Sequence, residues 1–158
     1  MQNTKKNTIA TLCVVLSELQ VAKLTEATYK LHHKFGSTEL EQSIFSLLQG
    51  WICDEELEQM QPNERAKIIG FLFEFLTHFQ TIDKFDRHSE TNKFQIDGFL
   101  YLWQIESSVT KNYFQTLKQG FLNSIIADNT TTRTETLYRI STIENYIEEI
   151  QLLNPQFN

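Results

Sequence analysis

IIGFLFEFLTHF, residues 68–79, holds four phenylalanines, four aliphatics, one glycine and three polar side chains, Glu74, Thr77 and His78. Three readings compete for it: part of a membrane span, a metal or catalytic site built on Glu74 and His78, or a core helix. At about 100° per residue, Ile68, Phe71, Leu72, Phe75 and Phe79 cluster on one side of a helix. Ile69, Phe73 and Leu76 widen that side. Glu74, Thr77, His78 and Gly70 share the remaining narrow arc, joined by the flanking Lys67 and Thr81. The stretch therefore reads as an amphipathic helix with a very broad apolar face, the natural central helix of a bundle. The membrane reading fails on length, since a span needs about 20 apolar residues, and on the charged flanks.

Glu74 and His78 are four apart, so both could meet one ion or bond each other. Di-iron bundles use Glu-x-x-His on paired helices with further glutamates. Here the spacing is one residue longer and no second copy exists. Zinc catalysis would need a third ligand and a base. The arc is expected to be a solvated or interface stripe, and no metal or cofactor is assigned.

The same periodicity extends outward. Ile9, Cys13, Leu16, Leu24, Ala27 and Leu31 form a helical stripe over 8–34, stopped near Gly36. Thr38 and Glu41 have capping-box spacing and open a second helix with Leu40, Ile44, Leu47, Leu48, Trp51 and Ile52 on its stripe. Asp54 caps a short acidic turn. Residues 81–93 and 127–134 are the two polar loops. Between them, 94–126 reads as one helical region about 50 Å long if straight. A domain this size has a radius of gyration near 15 Å, so the region is expected to bend, around Ser107–Asn112. Thr132 and Glu135 repeat the capping-box spacing. The last helix carries Leu137, Ile140, Ile143, Ile147 and Ile150, and Pro155 ends it.

Two prolines and five glycines in 158 residues are too few for an all-β sandwich. The expectation is all-α: a single helical domain over 1–158, an up-and-down bundle of about five helices with one long, possibly bent, helix.

Charge narrows the partners. A net charge of −6 and scattered lysines and arginines argue against nucleic acid and against an anionic membrane surface. Cys13 and Cys53 make neither a metal motif nor a disulfide framework. The basic, briefly apolar N-terminus lacks a cleavage site. A cytoplasmic location is expected.

Few residues invite chemistry. His32 and His33 suit a helix C-terminus; as neighbours they point about 100° apart, unlike a metal pair. Asp86-Arg87-His88 is loop material without a phosphate cradle or nucleophile beside it. Trp51 and Trp103 fall on core stripes. Glu106 falls inside the apolar face of Phe99, Trp103, Val109, Tyr113, Leu117 and Phe121, with Thr110 beside it; a buried carboxylate is costly unless paired or hydrogen-bonded, so the two are a candidate buried polar site. Tyr101 and Ile105 lie opposite, four apart, and mark an interface if exposed. Glu144, Glu148 and Glu149 form an acidic arc able to steer a basic partner.

No catalytic residue is assigned. The sequence reads as a non-enzymatic protein-interaction module of the regulator, adaptor, chaperone or immunity type, bound to another protein through Tyr101, Ile105, Glu144, Glu148 and Glu149. A ligand- or metal-binding bundle using Glu106 or the Glu74/His78 pair is the second reading. A homo-oligomeric structural protein is the third.

Overall fold

The computed structural model describes residues 17–83 and 97–154, and they are helical almost throughout. Six α-helices follow in order: α1 (Glu18–Lys34), α2 (Ser37–Ile52), α3 (Pro62–Asp83), α4 (Asp97–Gln104), α5 (Ser107–Asn123) and α6 (Thr130–Leu152). Two 3-10 turns, Glu55–Gln59 and Ile125–Asp128, link α2 to α3 and α5 to α6. The all-α bundle is as expected, with one helix more than the pattern suggested. Among the described residues there is no strand, and no helix is long and apolar enough to cross a membrane. Ile9, Cys13, Leu16, Asp86, Arg87, His88 and Pro155 lie outside the described residues.

α3 holds the position its phenylalanines require. Ile68, Phe71, Leu72, Phe75, Leu76 and Phe79 are all buried. Phe71 meets Tyr113 and Phe114 of α5, and Phe79 stacks on His32 of α1 with ring centroids 4.9 Å apart. The α3 backbone packs on α2 and α4. What stays open is a stripe that includes Lys67, Gly70, Phe73, Glu74 and Thr77. Phe73 is 56% exposed, so the apolar face is one position narrower than the wheel suggests. Around this helix, α6 packs on α1, α2, α4 and α5, burying Ile140, Ile143, Ile147 and Ile150.

The closest helix pair is α2 with α5, and glycine sets it. A Cβ on Gly50 would stand 2.8 Å from the Phe121 ring; one on Gly120 would stand 2.5 Å from Trp51 Cδ1. Each glycine admits the other helix's aromatic residue, which lets Trp51 and Phe121 bury completely. Gly70 differs: it is exposed, and a Cβ there would meet nothing within 4 Å.

Three local expectations are corrected. α2 is capped by Gly36 without a side-chain bond, so Thr38 and Glu41 form no capping box. α6 starts before Thr132: Asn129 accepts from the Thr132 amide at 2.9 Å, and the 127–134 loop shrinks to one residue between helical segments. Over its described part, 97–126, the 94–126 region is two α-helices and the start of a 3-10 turn, broken at Ile105–Glu106 rather than at Ser107–Asn112. No Gly or Pro marks that break. The last carbonyls of α4 lack helical partners, as at any helix end. The Gln151 amide donates to the carbonyls of Leu102 (3.4 Å) and Ile105 (3.1 Å), and Asn154 donates to that of Trp103 at 3.3 Å. The end of α6 thus stabilises the break. Asp54 caps the first 3-10 turn as expected, accepting from the Glu56 amide.

The two glycine environments predict opposite outcomes. Gly70→Ala should stabilise the protein by up to about 1 kcal/mol, from helix propensity alone. Gly120→Ala should destabilise it by roughly 1–3 kcal/mol, because Trp51 must move. Urea unfolding of both variants checks the signs; a stabilising Gly120→Ala would contradict the packing.

Candidate functional site

The sequence-selected residues fall in three places. Tyr101, Ile105 and Glu106 border a groove on the α3–α4–α5 face, where Lys67, Gly70, Phe71 and Glu74 form the opposite wall. Those α3 positions share one helical stripe, spaced three, four and seven. Phe71, Tyr101, Ile105, Val109 and Tyr113 make an apolar floor that is buried or half-buried. Lys67, Glu74, Gln104 and Glu106 are exposed around it. Partial burial first, and the nearby Glu74 charge second, push the Tyr101 phenol's pKa up. The break at Ile105–Glu106 shapes this groove. It ends α4 with Ile105 facing α3 and restarts α5 so that Val109 and Tyr113 continue the floor.

Thr110, Glu144 and Glu148 line a second, smaller cleft between α5 and α6. Its charges are already matched. Lys118 binds both Glu144 carboxylate oxygens at 2.9 Å, half-buried, and Lys111 binds Glu148 at 3.0 Å. Glu149 is exposed elsewhere on α6, near enough to Lys30 of α1 to contribute to the rise in its pKa, which comes first from Glu26. The acidic arc is therefore divided between two surfaces.

The expected buried polar pair also separates. Glu106 is exposed, because it is the N-cap residue where α5 begins and not an interior helical position. Thr110 is buried; its hydroxyl donates to the Glu106 carbonyl at 3.3 Å and accepts from Gln151 at 3.1 Å. Its partners are a backbone carbonyl and a glutamine, and the Glu106 carboxylate plays no part. Trp51 is buried as expected, and half-buried Trp103 donates its indole N–H to the Ile150 carbonyl at 2.7 Å.

Glu74 and His78 do not share a site either. Glu74 is exposed, whereas His78 is only 4% exposed. The His78 ring packs edge-on against Phe99 at 4.8 Å, and its Nε2 lies 3.0 Å from the Tyr146 hydroxyl. That hydroxyl is 3.4 Å from Thr28 Oγ1, so α1, α3 and α6 meet in one buried polar chain. Burial first, and the neighbouring His32 second, lower the His78 pKa to about 4. Burial pushes the Tyr146 phenol far up, against the smaller opposing effect of the Thr28 hydrogen bond. Both groups are neutral at pH 7 and are hydrogen-bonded inside the core. This chain escaped the sequence reading because the wheel puts polar residues outward and Tyr146 lies 68 positions away. A tyrosine on the Ile143–Ile147–Ile150 stripe was the available signal.

His32 and His33 occupy the last turn of α1. They diverge as neighbours should: His32 stacks on Phe79, and His33 on Tyr29 with centroids 5.5 Å apart. Among the described residues, no three His, Cys, Asp or Glu side chains are grouped to hold a metal ion. No family model matches the chain, and no curated protein or solved structure matches it either.

The buried imidazole predicts a pH dependence. Its folded pKa, about 4, lies below the ordinary 6.5, so the unfolded chain binds the proton more readily. The stability is fully present above pH 6.5 and is lost as pH falls toward 4. Across that window His78 accounts for roughly 3 kcal/mol. Urea midpoints at several pH values should fall steadily for the wild type, and His78→Gln should flatten the slope. An unchanged slope would mean that His78 is not sealed.

Proposed function

We propose that this chain is a helical protein-interaction module that binds another protein through the α3–α4–α5 groove, without catalysing a reaction. One observation carries the reading: an open groove with an apolar floor and a charged rim, built from three helices. An apolar centre bordered by polar groups is the usual anatomy of a protein interface. Tyr101 and Tyr113 supply large, half-buried rings of the type enriched at interface hot spots. The His78–Tyr146–Thr28 chain supports the same reading from the other side. Its groups are enclosed and mutually satisfied, which suits a role in fixing how α1, α3 and α6 pack. The α5–α6 cleft supports partner binding less well, because internal lysines already meet its carboxylates.

A photo-crosslinking amino acid at Gln104, on the rim, tests this in extract of the protein's own host. A discrete second chain should be captured, and Ile105→Glu should reduce its yield roughly tenfold or more while the urea midpoint is retained. Equal capture from a crosslinker at Tyr29, on α1, or capture insensitive to Ile105→Glu, would contradict the groove reading. Capture of a second copy of this chain would instead favour the homo-oligomeric reading.

A further inference from the structure

Among the helical glycines whose surroundings are described, Gly50, Gly70 and Gly120, two have an internal reason. Gly50 and Gly120 admit aromatic residues of a facing helix. Gly70 sits in the middle of α3, exposed, with open space where its Cβ would be. Glycine is the poorest helix former after proline, and its φ here is negative, so the backbone does not need it. The chain gives up helix propensity at a point where no described residue requires it. That point is on the wall of the groove, beside Phe71 and across from Tyr101 and Ile105.

The charges on the rim indicate what could come there. Glu74 and Glu106 both border the groove, and neither forms an ion pair with a described residue. The α5–α6 cleft differs, since its carboxylates, Glu144 and Glu148, are matched by Lys118 and Lys111. Among the described residues that line the groove, Lys67, one turn before Gly70, is the basic one. The groove thus has acidic groups on both walls and an apolar floor. A second copy of this chain, with its net charge of −6, would bring more negative charge toward it.

We propose that the groove receives an amphipathic helix of a partner protein, one that crosses α3 over Gly70 and directs a basic side chain toward Glu74 and Glu106. This deepens the interaction reading and rests on it. The missing side chain at Gly70 lets a foreign backbone approach α3 closely, as Gly120 lets Trp51 approach α5. An apolar stripe on the incoming helix covers Tyr101, Ile105 and Tyr113, in the helix-in-groove mode. The acidic rim selects charge, which contributes more to specificity and association rate than to bare affinity.

Two synthetic helical peptides serve as probes. They share one leucine stripe and carry lysines or glutamates on the other face. Fluorescence anisotropy measures binding to the full chain, and amide chemical shifts locate it. The lysine peptide should bind at α3, α4 and α5, at least roughly tenfold more tightly than the glutamate peptide. The double variant Glu74→Lys, Glu106→Lys should remove or invert that preference. Gly70→Leu should weaken the lysine peptide by a similar factor, with the urea midpoint unchanged or raised. If Gly70→Leu disturbs the fold, Gly70→Ala replaces it: more stable, yet a weaker binder. No preference between the peptides, shifts outside the groove, or full binding by both Gly70 variants would overturn the proposal. Rim crosslinking that still captures a partner, with no preference for the lysine peptide, would overturn the basic-helix assignment alone. Loss of that crosslinking would overturn the interaction reading beneath it.

Discussion

The structure depends on one constraint: α3 must bury a broad face lined with aromatic side chains. A helix that buries Ile68, Phe71, Leu72, Phe75, Leu76, His78 and Phe79 on one broad face cannot rest on one neighbour. It needs contacts on several sides, and the other helices supply them. α1 brings His32 to Phe79, α5 brings Phe114 to Phe71, and α4 brings Phe99 to His78. α6 brings Tyr146. The stripe through Lys67, Gly70, Phe73, Glu74 and Thr77 is left open, and the candidate groove lies along its Lys67–Gly70–Glu74 edge. The most buried helix and the proposed binding surface are two sides of one element.

The secondary constraint is α2 against α5. Two glycines in reciprocal positions set how closely these helices meet, and the rings of Trp51 and Phe121 fill the space. This contact fixes α5, and hence Val109 and Tyr113 in the groove floor. The end of α6 fixes the other boundary, since Gln151 and Asn154 stabilise the α4–α5 break. The groove is thus shaped by long-range contacts, which gives a partner a preorganised surface and lowers the ordering cost of binding.

The sequence shows the helices and little of what joins them. Periodicity located the core stripes of α1, α2 and α6, because buried positions recur at the helical period, except that Ile52, at the end of the α2 stripe, is exposed. It anticipated a bend at Ser107–Asn112 but missed its position at Ile105–Glu106, which no local residue signals and which side chains more than 40 positions away stabilise. That miss misplaced Glu106. The two capping boxes failed for a related reason: helices began at Ser37 and Thr130, ahead of the matching spacing. His78 was assigned to a solvated arc because a wheel cannot register a tyrosine on another helix. Half of the groove was legible, since Tyr101 and Ile105 are adjacent on any helix. The α3 wall was not, because its Lys67–Gly70–Glu74 arc acquires meaning only once α4 lies beside it.

The most direct test of the central claim, that α3 is enclosed on all sides but one, is an NMR titration of the His78 imidazole in the intact protein. Enclosure predicts a midpoint of about 4, far below the ordinary 6.5, with the Tyr146 hydroxyl proton protected from exchange. A midpoint near 6.5 would place His78 in water and contradict the packing on which the fold and the groove both rest.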